Sequence, residues 1–351
     1  MNFEYLSIRC RHGHLEILDQ TLLPHEEVWL NANEVSEMFD HIKRLAVRGA
    51  PLIAVAAVAC LAVQASREGT TAEKLIKDTL HLKSSRPTAV NLMHMSDELT
   101  SQLRQSDPSS NPRDLVLKVA EDVIKKEVQM NQSMSRHGAS LIQNGENILT
   151  HCNTGSLATP GVGTALGVIR EAHRQGKNIH VYVDETRPLL QGGRLTAYEL
   201  KSEGIPFTII CDNMAGFLMS QKKIDRVLVG SDRIATNGDF ANKIGTYSLA
   251  VLADYHKIPF HLVAPASTVD PDCSSGNEIP IEERNPAEVL GVSGSQSVQW
   301  APTGSNVYNP AFDVTPGHLV TSIILDTGIY DRQSIQNGSL HKLKFFDSEE
   351  K

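Results

Sequence analysis

The chain has 351 residues, of which 40% are hydrophobic and 21% are charged, and its net charge is −8. This length exceeds that of a typical single domain, so we expect two domains with cores of ordinary size. The negative charge argues against nucleic acid as the main partner, because phosphate backbones are bound by basic surfaces.

Neither a membrane segment nor a disulfide framework is expected. The N-terminus has no basic segment followed by an apolar run, which argues against a signal peptide. The most apolar stretch, APLIAVAAVACLAVQA, is too short to span a bilayer comfortably and is interpreted as a buried helix. The five cysteines form no CxxC pair, so we expect no zinc site and a reducing compartment. We expect the protein in the cytoplasm and also in the nucleus.

The N-terminal part is predicted to be mostly helical and to carry a β-hairpin. Apolar and polar residues alternate on both sides of a turn in YLSIRCRHGHLEILDQTLLP, which is typical of a hairpin. Several helical segments follow, one of them with Pro87 placed for a helix start. The segment SDPSSNPRD at 106–114 reads as a linker. We therefore predict an N-terminal domain over 1–112, followed by a connecting helix and a catalytic domain over 113–351.

From about residue 145 the pattern becomes that of an α/β domain. The runs ENILTHC, IHVYVDE, FTIICD, RVLVGSD and FHLVAPAS are nearly continuous in apolar residues, as in strands buried on both faces. Helical patterns separate them, and this alternation predicts a parallel sheet with right-handed crossovers. We expect a Rossmann-like C-terminal domain beside the smaller helical one.

Polar residues follow these predicted strands, at the sheet edge where α/β proteins bind ligands. Cys152 ends the first run and precedes a helix expected to start near 161–164, whose N–H groups would favour thiolate formation. The small residues between them would let backbone approach a ligand. Cys152 could equally be a small core residue. Asp232, after the fourth run, could act chemically or cap a turn.

Basic residues beside predicted helix starts indicate a phosphate pocket. Asn242 and Lys243 stand where the predicted helix KIGTYSLAVLADYHK starts, and a helix N-terminus with a lysine is an anion site. Arg48 and Arg86 each stand just before a helix led by proline. No GxGxxG follows a strand and no Walker pattern occurs, so no nucleotide cofactor is expected.

Six motifs together resemble the methylthioribose-1-phosphate isomerase family, which is related to the regulatory subunits of translation initiation factor 2B. They are VRGAP, RPTAVN, LTHCNTGSLAT, ETRPLLQGGRLTAYEL, GSDRIATNGDFANKIGT and NPAFDVTP. The resemblance covers the chain to about residue 330. It implies a smaller N-terminal domain joined to a Rossmann-like domain, and a homodimer formed through the latter.

The resemblance also implies site residues. Cys152 and Asp232 match the family's catalytic pair. The matching substrate-binding positions are Arg48, Gly49, Ala50, Arg86, Gln191, Asn242 and Lys243. The implied reaction converts 5-methylthioribose 1-phosphate to 5-methylthioribulose 1-phosphate in methionine salvage, and we expect it to need no metal and no other cofactor.

The implied reaction needs the sugar ring to be opened, since the anomeric phosphate blocks spontaneous opening. A carboxylic acid in a poorly solvated site can remain protonated for this purpose, and we expect Asp232 to protonate the ring oxygen. Hydrogen then moves from C2 to C1, as a proton with Cys152 as the base or as a hydride. Two alternatives stay open: a ribose 1,5-bisphosphate isomerase, and a regulatory subunit without activity.

Overall fold

A computed structural model describes residues 1–86, 89–107, 110–292 and 298–343. The chain forms two compact units. The first comprises Met1–Gln129 and Ser156–Gly163, and the second comprises Met130–Gly155 and the chain from Thr164 onward. The division falls within a helix, and the predicted boundary between residues 112 and 113 stays a prediction. The predicted helix start at Pro87, two positions of the predicted linker and the last residues lie outside the described ranges.

The first unit contains an antiparallel sheet with the strand order β1-β2-β3-β4. Its strands are β1 (Phe3–Glu4), β2 (Ile8–Arg11), β3 (His14–Leu18) and β4 (Trp29–Asn31). Arg11 pairs with His14 at the end of β2 and β3, which confirms the predicted hairpin. Gly13 occupies the turn with φ +77°, a conformation that glycine adopts without steric cost.

The helices of the first unit pack around one apolar segment. They are α1 (Val35–Lys43), α2 (Ala50–Ala65), α3 (Ala72–Lys83) and α4 (Val90–Gln105), followed by α5 (Pro112–Ala139), which continues into the second unit. All residues of α2 except Val63 are buried. This confirms the predicted buried helix, whose sequence is apolar all round because it has no solvent face. Among the described residues, no helix is long and apolar enough to cross a membrane.

The second unit is built on a seven-stranded sheet with the order β17-β16-β11-β8-β5-β6-β7. All neighbours pair in parallel except β16 and β17. The strands are β5 (Asn147–Thr150), β6 (His180–Asp184), β7 (Phe207–Ile210), β8 (Arg226–Val229), β11 (Phe260–Val263), β16 (Ser322–Leu325) and β17 (Gly328–Asp331). The predicted α/β class and all five predicted strands are confirmed.

The central parallel strands are largely apolar because both faces of the sheet are covered there, whereas Thr208 and Ile209 of the edge strand β7 are exposed. Ile148 packs in one apolar cluster and its neighbour Leu149 in another. If the six parallel strands are numbered 1 to 6 in chain order, from β5 to β16, their order across the sheet from the β7 edge is 3-2-1-4-5-6. This is the order of doubly wound α/β proteins. The order reverses between β5 and β8, and this is where such sheets bind ligands.

Further elements complete the second unit. A four-stranded sheet has the order β12-β9-β10-β15, and β13 pairs with β14. These strands are β9 (Arg233–Ala235), β10 (Phe240–Lys243), β12 (Val269–Asp270), β13 (Gly291–Val292), β14 (Val298–Gln299) and β15 (Phe312–Thr315). The α-helices are α6 (Ala165–Arg174), α7 (Ala197–Ser202), α8 (Ala215–Ser220), α9 (Thr246–His256), α10 (Ala287–Leu290) and α11 (Arg332–Gln336). A π-helical turn spans Gly192–Thr196, and 3-10 turns span Asp212–Met214, Ala266–Thr268, Gly276–Glu278, Gly317–Leu319 and Leu340–Lys342.

Candidate active site

The two candidate catalytic residues follow the two strands that flank the reversal of strand order. Cys152 is the second residue after the end of β5, and Asp232 is the third residue after the end of β8. β5 and β8 are neighbours and run parallel. Their carboxyl ends therefore meet at the same edge of the sheet, at the point where doubly wound folds bind ligands. The fold supplies a reason for these positions that is independent of any motif.

The backbone of Cys152 is held in an unusual conformation. Its φ is +62°, and few residues other than glycine adopt a positive φ. The N–H of Cys152 donates to Thr186 Oγ1 at 2.8 Å, and its carbonyl accepts from Thr196 Oγ1 at 2.6 Å. The residue is 7% exposed. Strained conformations of this kind cluster at functional sites, and two hydroxyl groups stabilise this one.

The helix predicted after Cys152 is present, with Thr164 as its N-cap. The helix α6 begins at Ala165, and it is Thr154 that meets its N-terminus: Leu166 N–H donates to Thr154 Oγ1 at 3.1 Å. Residues Ser156–Gly163 belong to the first unit. There a Cβ on Gly49 would come within 2.6 Å of the carbonyl oxygen of Ala158. Two protein backbones thus approach closely at Gly49, and the approach of a ligand to the small residues after Cys152 stays a prediction.

Asp232 lies in the connection between β8 and β9 and is half-buried. Its N–H donates to the carbonyl oxygen of Ala241 in β10 at 2.9 Å. The hydroxyl of the preceding Ser231 also donates to this oxygen, at 3.1 Å. These bonds tie the backbone of Asp232 to the strand that carries Asn242 and Lys243.

Asn242 and Lys243 end the strand β10, whereas the sequence placed them at the start of a helix. α9 begins three residues later, at Thr246. Its N-terminal N–H groups already bind an anion of the protein, because Asp313 accepts from Gly245 N–H at 2.7 Å and from Tyr247 N–H at 3.1 Å. The carboxyl group of Asp313 therefore occupies two N–H groups of the helix terminus where the anion site was predicted, and the part of Asn242 and Lys243 in substrate binding stays a prediction.

The side chains of Asn242 and Lys243 are nevertheless buried and fixed. Asn242 donates from Nδ2 to Thr246 Oγ1 at 2.9 Å. Lys243 donates from Nζ to the carbonyl oxygen of Ala311 at 3.1 Å, and Nζ lies 5.4 Å from the centre of the Phe312 ring. A lysine is almost never fully buried unless its charge has partners. A buried ammonium group at the end of a strand is suited to binding an anion.

Gln191 carries a buried oxygen atom that no donor contacts. Its Oε1 has no hydrogen-bond partner among the described residues, although only 5% of the residue is exposed. The π-helical turn begins at the next residue, Gly192, where a Cβ would lie 1.8 Å from the carbonyl oxygen of Asp184. Only glycine permits this approach, which brings Gly192, the residue after Gln191, against the end of β6. An unsatisfied buried acceptor is costly, so this oxygen is a candidate for a hydrogen bond from outside the protein.

His151, which the sequence analysis did not select, forms a buried polar cluster with Asp184 and Asp212. Its Nδ1 lies 2.9 Å from Asp184 Oδ2, and its Nε2 lies 2.9 Å from the carbonyl oxygen of Ile244. One ligand atom from each of the three side chains lies within 4.8 Å of the others, a spacing that could hold a metal ion. However, Asp212 accepts two backbone N–H bonds, and both imidazole nitrogens of His151 have partners. The arrangement is a hydrogen-bond network, and the expected metal-free reaction stays a prediction.

Arg48, Gly49, Ala50 and Arg86 belong to the first unit, and the other five candidate residues belong to the second. Gly49 is the N-cap of α2 and has φ +86°, with Pro51 in the first turn. Arg48 and Arg86 are half-buried. The role of these four residues in substrate binding stays a prediction.

Three residues that build the second-unit site stand inside motifs that the sequence analysis quoted. Thr186 lies in ETRPLLQGGRLTAYEL, Asp313 in NPAFDVTP and His151 in LTHCNTGSLAT. The motifs could have drawn attention to them. Three of the bonds that place them in the site, however, join residues 33, 34 and 68 positions apart along the chain, where no local pattern indicates a contact.

Comparison with known proteins yields consistent relatives. Residues 46–332 match the initiation factor 2 subunit family. The methylthioribose-1-phosphate isomerase of Klebsiella pneumoniae is 52% identical over 95% of this chain and 96% of its own. A crystal structure of 5-methylthioribose 1-phosphate isomerase from Pyrococcus horikoshii is 40% identical, has a TM-score of 0.88, and covers 98% of this chain and 97% of its own.

A further similar structure is described differently, as the translation initiation factor eIF-2B, subunit delta, from A. fulgidus. It is 39% identical with a TM-score of 0.83, and it covers 97% of this chain and 100% of its own. These matches confirm the resemblance found in the motifs. The chain belongs to the initiation factor 2 subunit family, within its group of methylthioribose-1-phosphate isomerases.

Proposed function

We propose that this chain is an aldose–ketose isomerase that converts 5-methylthioribose 1-phosphate to 5-methylthioribulose 1-phosphate in methionine salvage. The observation that carries the proposal is the position of Cys152 and Asp232 after two neighbouring parallel strands, at the reversal of strand order. The names of relatives at about half identity over nearly the whole chain support the same reaction.

The reaction rearranges hydrogen without a net exchange of atoms. The bond between C1 and the ring oxygen breaks, and the ring oxygen takes a proton, which we assign to Asp232. One hydrogen leaves C2 and one is gained by C1, while the 2-hydroxyl loses its proton as C2 becomes the carbonyl carbon. Cys152 either removes the C2 hydrogen as a proton or handles the 2-hydroxyl proton during a hydride shift. Substrate deuterated at C2 separates the two routes, because a hydride shift retains the label at C1.

We assign the binding of the phosphate group in the second unit to Lys243 and Asn242, and the binding of a substrate hydroxyl group to Gln191. Lys243 supplies a buried positive charge, which strengthens a hydrogen bond to a phosphate oxygen. The amide groups of Asn242 and Gln191 supply directional bonds. The unsatisfied Oε1 of Gln191 is an acceptor and suits a substrate hydroxyl better than a phosphate oxygen.

An activity assay tests this function. The purified chain is expected to convert 5-methylthioribose 1-phosphate without added nucleotide, and at an undiminished rate after treatment with EDTA. Turnover of ribose 1,5-bisphosphate alone would favour the other sugar phosphate as the substrate. Turnover of neither sugar would favour a regulatory subunit, the alternative raised by the similarity to the A. fulgidus initiation factor subunit.

We also propose a homodimer formed through the second unit. Along α9, Tyr247, Val251 and Tyr255 recur every four residues and are exposed, and Phe217 of the contacting helix α8 is 64% exposed. An apolar stripe of this kind is typical of an interaction surface. A second copy that covers it would bury on the order of 1,200–2,000 Å². Light scattering should then give twice the chain mass of 38.5 kDa, and a monomer with full activity would contradict the proposal.

The expected cytoplasmic and nuclear locations stay predictions.

A further inference from the structure

We propose that His151 is a positioning residue that holds the turn after Asn242 and Lys243, and with it these two residues, in the substrate-binding conformation, with Asp184 orienting the imidazole. This inference rests on the proposed function for its kinetic test. Asn242 and Lys243 end β10, and the turn of residues 244 and 245 joins this strand to α9. His151 reaches it from the end of β5, directly before Cys152.

The hydrogen bonds of His151 define which nitrogen carries a proton. A carbonyl oxygen only accepts, so Nε2 must donate its proton to Ile244 O at 2.9 Å. Nδ1 then faces Asp184 Oδ2 at 2.9 Å. A second proton must lie between these two atoms, on the imidazole or on the carboxyl group, because otherwise two lone pairs would meet in a buried site.

The surroundings favour retention of this second proton. His151 and Asp184 are both buried, and Asp184 Oδ1 has no hydrogen-bond partner among the described residues. Burial raises the pKa of Asp184 to about 6, against the opposing effect of its bond to His151. Burial alone would lower the pKa of His151, but the hydrogen bond and charge of Asp184 outweigh it and the pKa is raised. Both directions keep a proton in the pair.

The turn is shaped to receive the imidazole. Gly245 has φ +106°, and a Cβ at this position would lie 2.9 Å from His151 Cε1. The turn therefore requires glycine for its backbone conformation and for the approach of the ring. On its other side, Ile244 N–H donates to Ala311 O at 3.0 Å, and that same oxygen accepts from Lys243 Nζ. Ile244 thus links the imidazole to the carbonyl oxygen of Ala311, just before β15, which fixes Lys243.

Two substitutions of His151 separate positioning from packing. In His151→Gln, the amide nitrogen stands close to the place of Nε2 and can still donate to Ile244 O. In His151→Asn, the amide nitrogen of the shorter side chain stands close to the place of Nδ1. It can donate to Asp184 but cannot reach the carbonyl oxygen of Ile244. The measurements are KM and kcat with 5-methylthioribose 1-phosphate, the affinity for inorganic phosphate by calorimetry, and the thermal midpoint.

We expect His151→Asn to raise KM and the phosphate dissociation constant by about 3- to 10-fold, the effect of one lost hydrogen bond. We expect His151→Gln to stay within about 2-fold of the parent, although both substitutions lower the thermal midpoint. Equal losses of affinity in the two variants, or unchanged affinity in both, would overturn the inference.

Asp184→Asn provides a second test that does not alter the histidine. The amide of the new side chain can donate to Nδ1 and so retain the tautomer that donates to Ile244. We therefore expect near-parental KM and phosphate affinity, and a loss as large as in His151→Asn would contradict the inference. A parent enzyme that turns over neither sugar would contradict the proposed function, while the phosphate titrations would still test the role of His151.

Discussion

The backbone N–H of Cys152 donates a 2.8 Å hydrogen bond to the hydroxyl oxygen of Thr186, across the ends of two neighbouring parallel strands. Thr186 in turn donates to the carbonyl oxygen of Asp184, and its own N–H is bound by Asp212. The conformation of the candidate catalytic cysteine therefore depends on the end of β6 as much as on its own strand.

Thr186→Val should lower kcat by roughly 10-fold, because it leaves the buried N–H of Cys152 without its acceptor. Valine has nearly the same shape as threonine and is also β-branched, so the backbone strain at position 186, where φ is +65°, is the same in the variant and the parent. Thr186→Ser keeps the hydroxyl group and is the control, with kcat close to that of the parent. Steady-state kinetics measures both, and a Val variant with parental kcat would show that the bond is dispensable.

Cys152→Ser and Asp232→Asn should each lower kcat by at least about 10²-fold, the usual scale for losing an acid or base. Both residues stand at the end of a strand, so circular dichroism should show an unchanged fold. Cys211→Ser is the matched control, because that cysteine is exposed and follows β7. Near-normal kcat in either of the first two variants would remove that residue from the proposed chemistry.

Lys243→Met should raise KM and weaken inhibition by inorganic phosphate by about 10- to 150-fold, the value of a hydrogen bond to a charged group. Methionine retains most of the apolar stem, which limits the effect on packing. Lys257→Met, at an exposed position after α9, is the control and should leave both constants unchanged. Equal phosphate inhibition in parent and Lys243→Met would argue against a role in phosphate binding.

Asp313→Asn should change how stability depends on pH. Burial raises the pKa of Asp313 from 3.8 to about 6, although N–H bonds from Gly245 and Tyr247 oppose the shift. A raised pKa means that the folded state favours the proton, so this contribution is complete below pH 3.8 and is lost as the pH rises through about 6. The variant cannot ionise, so its stability relative to the parent should increase as the pH rises through this range.

Thermal midpoints measured from pH 3.8 to about 6 test the effect. The control is Asp331→Asn at the N-cap of α11, where hydrogen bonds from Ser334 lower the pKa. Because the pKa of Asp331 is lowered, the stability that its charge contributes is lost only as the pH falls below 3.8. The difference in thermal midpoint between Asp331→Asn and the parent should therefore be constant across the same pH window. A flat difference for Asp313→Asn as well would contradict the raised pKa.

Local sequence patterns determined the α/β class, the five strands and the buried helix α2. Each of these depends on which residues are apolar over a few consecutive positions, and burial on one face, both faces or all round imposes that pattern directly. The same patterns placed Cys152 and Asp232 at strand ends, since the end of an apolar run can be read from the chain itself.

Only the tertiary structure decided what surrounds these positions. Asn242 and Lys243 end a strand because β10 pairs with β15, and Asp313 on β15 occupies the helix terminus that the local pattern left open for a ligand. His151 lies 33 positions from Asp184 and 93 from Ile244. The periodicity of apolar residues indicates which side chains are buried within one helix or strand. The partner of a buried polar side chain depends on how distant strands pack together, and no local pattern contains that information.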